Sequence, residues 1–298
     1  MAQVTPVDAA AITQAYQRLI ENFLGWAQAE ENIRAAVVIG SRARTDHPAD
    51  AFSDLDVILV VQDMQPLVED SAWVGCAGRP WLTFIERTGD GRSWERRVLY
   101  EGGLDVDFAF VPLEQAQMLC AAGPSAQMPD VMQRGYHVLL DKDGLLAGLP
   151  PSPGSGAPFE PVSQAEFLNL VNDFWYHTAW TAKHLRRGEL WWGKGCCDDY
   201  LKGLLRRMLE WHAQATRPGT DTWLRGRFLE EWADPRAVAA LPQAYAHYQA
   251  QDIWRALFVT MDLFAWLEQE TAQHLGFPRP LEGEAQAAAL TRQLFDGR

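Results

Sequence analysis

Residues 37–63 read VVIGSRARTDHPADAFSDLDVILVVQD, and they carry the information from which the rest of the chain can be read. A β-branched apolar run ends at Ile39 and the chain turns through Gly40-Ser41. Glycine lets a backbone pass close to another group, and Ser41 can offer its hydroxyl and amide to a phosphate, most readily where a helical turn begins. No Gly-Lys-Ser/Thr follows at the required spacing, so this is not a Walker loop. The stretch then returns as a strand, Leu55 to Val61, with Asp54 at its mouth and Asp56 within it. Residues two apart on a strand share a face, so both carboxylates project together. Leu55, Val57 and Leu59 point the other way, into a core. Two like charges held that close are costly unless a cation sits between them. Magnesium takes hard oxygen ligands, commonly one or two carboxylates plus substrate phosphates.

A third acid lies in Leu104-Asp-Val-Asp-Phe-Ala-Phe-Val111. Asp105 and Asp107 share one strand face, with Val106, Phe108 and Phe110 behind. If this strand lies beside the Asp54 strand, Asp107 completes a three-carboxylate cluster. Such a cluster can hold two metals about 4 Å apart and stabilise attacking and leaving oxygens together. Paired aspartates also mark solvated strand ends. The Gly-Ser turn upstream and the second acidic strand favour the metal.

Around this centre the chain changes character once. Leu149 to Pro161, LPPSPGSGAPFEP, is rich in residues that fix φ or favour no regular structure, and reads as a linker. Before it, Val7 to Asn32 has helical spacing, with Ile12, Tyr16, Leu19, Ile20 and Phe23 on one side. Strand-like runs follow at 36–39, 55–61, 81–85, 97–100 and 106–111. After the linker, Ser163-Gln-Ala-Glu166 is a capping box that opens a long helix with Phe167, Leu170, Val171, Phe174, Thr178 and Leu185 in one stripe. Ile253, Leu257, Phe264 and Leu267 form another stripe, expected to stop near Gly276. The fold expected is an α+β N-terminal domain over 1–149, with a mixed β-sheet flanked by helices, a Pro/Gly/Ser linker over 150–161, and an all-α C-terminal helical bundle over 162–298 whose core is bulky with Trp.

Composition sets the outer bounds. The 298 residues fit two domains, and 48% apolar with 22% charged residues describe a globular chain. The formal charge of −13 and the lack of a long basic run argue against nucleic acid, whose affinity rests on Lys and Arg. An acidic surface suits a cationic small molecule. Met1 to Ala11 has no secretory pattern, and no window approaches a bilayer span, so no membrane association is expected. The 4 cysteines make no disulfide framework, and Cys196-Cys197 lacks zinc-site spacing. A cytoplasmic protein is the expectation.

The order Gly40-Ser41, Asp54-x-Asp56, then Asp107 resembles the polymerase-β-type nucleotidyltransferase superfamily. More narrowly the chain resembles the aminoglycoside 6-adenylyltransferases, the streptomycin-adenylylating group. The resembling pieces are IGSRA, FSDLDVILVV, DVDFAFVPLEQ, GYHVLLDKDG, NDFWYHTAWTAKHLRRGEL, LLRRMLEWH and WRALFVTMDLF, in order through almost the whole chain. The resemblance implies that Asp54, Asp56 and Asp107 bind the Mg²⁺ of ATP, that Gly40 and Ser41 contact the β- and γ-phosphates with Arg42 near, and that AMP passes to an acceptor hydroxyl with release of pyrophosphate. Lys183 occupies a lysine position of the similar helix and would reach the triphosphate.

Three roles stay open from the residues. The general base is Asp107 or Glu101 of Tyr100-Glu-Gly-Gly. Lys202 and Arg206 would either reach the triphosphate or pair with Asp198 and Asp199. Asp173, His177, Trp180 and His184 follow helical spacing along one flank. A carboxylate beside an aromatic face is what a guanidinium or ammonium seeks, so Asp173, His177 and Trp180 are the expected acceptor contacts. The segment Trp191-Trp-Gly-Lys-Gly-Cys-Cys-Asp-Asp199 departs from the family's look. Two other readings compete: the same transfer to a different small-molecule or protein hydroxyl, and a non-catalytic nucleotide binder of the same fold. Clustered like charges serve a pure binder poorly.

Overall fold

The structure is a computed structural model that describes residues 8–89, 91–122, 128–156 and 159–297. Three expectations fall partly outside these: residues 1–7 of the N-terminal stretch, the helix start at Val7, and residues 157–158 of the linker. The chain divides into two compact units, Met1–Ala157 and Pro158–Arg298.

The first unit opens with α1, Ala9–Ala29, capped by Asp8, whose carboxylate accepts from the amides of Ala10 and Ala11. Its stripe of Tyr16, Leu19, Phe23 and Ala27 is buried. There follow β1 (Ile33–Ile39), β2 (Leu55–Val61), α2 (Gln65–Glu69), β3 (Pro80–Arg87), β4 (Trp94–Tyr100), β5 (Leu104–Pro112), α3 (Leu113–Ala121), α4 (Asp130–Arg134) and β6 (His137–Asp141). The six strands form one mixed sheet in the order β3-β4-β5-β2-β1-β6. β2 and β5 run parallel, while the other neighbours are antiparallel. Parallel pairing matters for the site, because it puts the acidic ends of β2 and β5 side by side, with Asp56 opposite Asp107.

Alternation along the strands sorts the side chains to two faces. Leu55, Val57, Leu59, Val98, Tyr100, Val106, Phe108 and Phe110 join the α1 stripe in the main core. On the other face a smaller cluster of Ala35, Val37, Val60, Ala116 and Leu146 forms over the β1–β2 end.

β4 begins at Trp94 rather than at residue 97, because its first half is charged and shows no apolar alternation. Arg96 nevertheless faces the core, its guanidinium donating to the carbonyls of Leu67 and Val68. Such bonds allow a buried cation to occupy an apolar position. β6 was not expected as a strand; it is a sheet edge with His137 and Val138 exposed, so no hydrophobic pattern marks it.

The second unit contains α5 (Gln164–Arg186), α6 (Leu190–Gly195), a π-helical turn Cys196–Tyr200, α7 (Leu201–Thr216), α8 (Leu229–Trp232), α9 (Pro235–Ala244), α10 (Ala250–Leu275) and α11 (Leu281–Asp296). Among its described residues there is no strand. The capping box of Ser163 and Glu166 is formed, and α10 ends at Gly276 in the left-handed conformation, φ 69°. Phe174 of α5 stacks on Phe264 of α10 at 3.6 Å between centroids, inside a core that includes Phe167, Leu201, Met208 and Leu267. Glu268 is fully buried there, accepting from Trp175 Nε1 and paired with Arg279. Among the described residues no helix is long and apolar enough to cross a membrane.

Candidate active site

Asp54, Asp56 and Asp107 each offer a carboxylate oxygen, and the three oxygens lie within 4.8 Å of one another. The pairing of β2 with β5 accounts for this: Leu55 is opposite Val106 and Asp56 opposite Asp107, so the acids share one face at one end of the sheet. Burial pushes the Asp107 carboxyl up to about 6; Arg97 opposes the shift, while the neighbouring charges of Glu95, Asp54 and Asp105 add to it.

The Gly-Ser turn abuts the acids directly. Gly40–Arg42 is a short 3-10 turn at the end of β1, and Ile39 pairs with Asp56. Gly40 has φ +70°, and a Cβ built on it would lie 2.1 Å from Asp56 Oδ2. Glycine is therefore required twice, by the left-handed backbone and by the close approach of a carboxylate. Ser41 Oγ is buried and makes no hydrogen bond. A buried hydroxyl left in that state costs free energy, which a phosphate oxygen would recover. Three hard-oxygen donors, a side-chain-free approach and an orphaned hydroxyl fit a magnesium-bound phosphate chain.

Arg42 turns the other way. Its Nε donates to Asp54 O at 2.8 Å and its Nη2 to Ser53 O at 2.7 Å, so it clamps the backbone that delivers Asp54. Its guanidinium lies 3.7 Å from the Tyr16 ring centroid. The Tyr16 hydroxyl accepts from Asp105 N at 3.1 Å and donates to Asp105 O at 3.4 Å. Tyr16 thus ties α1 to both acidic segments. In the sequence Tyr16 is one more residue of an apolar stripe, and only its phenolic hydroxyl hints at more.

The residue opposite Asp107 on β4 is Arg97, whose Nη2 lies 3.4 Å from Asp107 Oδ2. Arg97 also pairs with Glu86 at 2.6 Å and Glu95 at 3.1 Å. None of these three was singled out from sequence. Glu101 is not brought to the acids: it lies four residues beyond Arg97, roughly 13 Å along the strand direction, exposed and 3.5 Å from Arg79.

In the second unit, Asp173 accepts from Tyr200 Oη at 3.0 Å, and its Oδ1 is 2.6 Å from His177 Nδ1. The His177 ring is 4.3 Å from Tyr200 and 6.2 Å from Trp180, and Trp180 lies 3.8 Å from His184. Asp173, His177 and Trp180 therefore do share a flank of α5, completed by Tyr200 from the π-helical turn. Lys183 is exposed. Lys202 is buried, donating to Cys197 O and Thr260 Oγ1 at 2.8 Å each, and it lines a cavity of about 650 Å³ with Asp199, Arg206 and Tyr245. Arg206 pairs with Glu210 one turn on rather than with Asp198 or Asp199. Asp198 pairs with Lys194 and lies 4.0 Å from Lys202.

A sheet that converges three carboxylates on a glycine-serine turn fits an enzyme that handles a metal-bound phosphate chain. The streptomycin adenylyltransferase family matches residues 13–294. The aminoglycoside 6-adenylyltransferase of Bacillus subtilis (strain 168) is 23% identical over 274 residues, 89% of this chain and 92% of its own length. That of Campylobacter jejuni is 23% identical over 279 residues, 91% of this chain and 92% of its own. A crystal structure of an aminoglycoside 6-adenyltransferase from Bacillus subtilis aligns with 93% of this chain and 97% of its own at 17% identity, with a TM-score of 0.44. The chain belongs to the streptomycin adenylyltransferase family and is an adenylyltransferase.

Proposed function

We propose that the chain transfers AMP from Mg-ATP to a hydroxyl of a cationic aminoglycoside, with the 6-position of streptomycin the leading acceptor. The observation that carries this is the meeting of Asp54, Asp56 and Asp107 within 4.8 Å, against a turn whose buried Ser41 hydroxyl has no partner. Names of the relatives that span the chain support the acceptor class.

Magnesium, held by Asp54, Asp56 and Asp107, would neutralise charge on the triphosphate during the displacement. Gly40 gives the phosphates room beside Asp56, and Ser41 offers its hydroxyl to the β- and γ-phosphates. Arg42 acts by holding the Ser53–Asp54 backbone rather than by touching phosphate. Asp107, which lies among the acids, takes the proton of the attacking hydroxyl at its carboxylate oxygen, a role for which it is better placed than Glu101. Lys183, exposed on α5, is the lysine of the second unit that would reach the nucleotide, whereas Lys202 is held by Cys197 O and Thr260 Oγ1. That unit, as a helical acceptor-binding bundle, offers the Asp173 carboxylate and the rings of His177 and Trp180 to a guanidinium or ammonium. The Pro/Gly/Ser stretch 150–161 serves as linker between it and the Mg-ATP domain. A charge of −13 suits this acceptor and not nucleic acid, and the free cysteines suit the cytoplasm.

The test is pyrophosphate release from ATP and Mg²⁺ across a panel of aminoglycosides. Streptomycin is expected to be turned over, and Asp56→Asn to lose at least about a hundredfold in kcat while keeping its melting temperature within a few degrees. A panel that gives no pyrophosphate removes the acceptor assignment, and a fully active Asp56→Asn removes the metal assignment.

A further inference from the structure

One register line crosses five strands of the sheet. Ile39 is opposite Asp56, Asp56 opposite Asp107, Asp107 opposite Arg97, and Arg97 opposite Phe84. Directly opposed residues share a face, so the line lies on the side of the sheet away from α1. Gly40 and Ser41 follow Ile39 at one end of it, and Phe84 of the edge strand stands at the other.

That order gives the site a direction. With the phosphates on the Gly40-Ser41 side of the acids, an in-line displacement brings the attacking oxygen from the opposite side, which is the β4–β3 side. Two kinds of side chain line that approach. Leu82 and Phe84 are 66% and 54% exposed, on the same face as Glu86. Next to them stand Glu86 and Glu95, sharing the guanidinium of Arg97 with Asp107. With Asp105 this face carries four carboxylates against one cation. Apolar contact beside surplus negative charge is complementary to a polycation with ring faces.

We infer that Leu82, Phe84 and Glu86 form an acceptor dock on the open face of β3, continuous with the catalytic acids and selective for a multi-ring cationic acceptor. The inference rests on the adenylylation reading above. Phe84 is two interstrand spacings from Asp107, about 10 Å. It therefore meets not the ring that carries the attacking hydroxyl but the next one along. Glu86 supplies the charge that an ammonium farther along the acceptor would meet, and Arg97 keeps Glu86 turned toward the line.

The test compares streptomycin with streptidine, its isolated guanidino-cyclitol, on the wild-type chain, Phe84→Ala, Phe84→Trp and Glu86→Gln. Phe84→Ala is expected to raise the KM for streptomycin about tenfold, with the KM for ATP moved less than about twofold. The KM for streptidine should not follow, and Phe84→Trp should restore streptomycin. Glu86→Gln should raise the streptomycin KM in the same selective way. If wild type adenylylates streptomycin and Phe84→Ala leaves its KM unchanged, the dock is refuted while the adenylylation reading stands. Equal losses for streptidine and streptomycin also refute it, as does a wild-type dimer that Phe84→Ala converts to monomer, because the exposed edge would then serve self-association. A wild-type chain inert toward the panel removes both readings.

Discussion

Replacing Asp107 with asparagine should stabilise the metal-free chain while abolishing its turnover. The Asp107 side chain is only 12% exposed, and burial holds its carboxyl at about 6 instead of 3.8. Carrying the ionised form in that place costs the fold on the order of 3 kcal/mol at neutral pH. Asparagine keeps the shape and removes the charge. The attraction of Arg97 is already contained in that value, and solvent screening of a carboxyl that is not fully buried takes about 1 kcal/mol or more from the gain. A net stabilisation of about 1–2 kcal/mol corresponds to a melting temperature higher by about 3–6 °C for a unit of this size. Because the folded value is raised, the proton-linked stability of wild type is present below about 4 and is lost as pH rises through about 6. The gap between variant and wild type should accordingly be wide at pH 7.5 and narrow at pH 5. Thermal melts in EDTA at both pH values measure it. Adding Mg²⁺ and ATP should then raise wild type and leave Asp107→Asn where it was. An asparagine variant that melts at or below wild type at pH 7.5, or a gap that does not shrink on acidification, would show that the charge is not strained.

Gly40→Ala sets a Cβ 2.1 Å from Asp56 Oδ2 at φ +70°; it should displace that carboxylate and cut pyrophosphate release more than about tenfold, with a melting loss of about 1–2 kcal/mol. Tyr16→Phe keeps the ring under Arg42 but leaves Asp105 N without its partner, so melting should fall by about 1 kcal/mol with turnover largely kept. Tyr16→Leu also removes the cation–π seat of Arg42, and its turnover should drop several-fold further in the pyrophosphate assay, since the Ser53–Asp54 backbone is then less well held.

The part of the site that sequence made legible is the part written in local spacing. Asp54-x-Asp56 and Asp105-x-Asp107 each declare a shared face through the two-residue period of a strand. Their convergence depended on β2 and β5 being neighbours, which spacing does not state and parallel pairing supplies. Arg97, Glu86 and Glu95 were illegible for the same reason: their role comes from lying across the strands from Asp107, and nothing within β3 or β4 distinguishes them from an ordinary solvated face. Arg42 shows another limit. Its place beside Ser41 suggested a phosphate ligand, but the carbonyls of Ser53 and Asp54 capture it, and a carbonyl has no signature in sequence. In the second unit the capping box and the Gly276 stop are local signals, and both formed. The π-helical turn that carries Tyr200 to Asp173 follows from no pattern in Cys196–Tyr200.

The arrangement around Asp107 also explains why the chain tolerates such a site before any cation arrives. Three carboxylates within 4.8 Å would repel one another strongly in a half-buried place. Two features of neighbouring residues reduce that repulsion. Below about pH 6 Asp107 can hold a proton, so the cluster need not carry full charge there. Beside it, Arg97 is drawn toward Asp107 but anchored by Glu86 and Glu95, so it offsets part of the charge. A lysine there would present a compact charge free to swing between the acids, whereas the planar guanidinium is fixed by several partners at once. A metal held by these acids would meet Asp107 mostly ionised at neutral pH and would leave Arg97 to the two glutamates. The cation that faces Asp107 is tethered to its own strand and its neighbour.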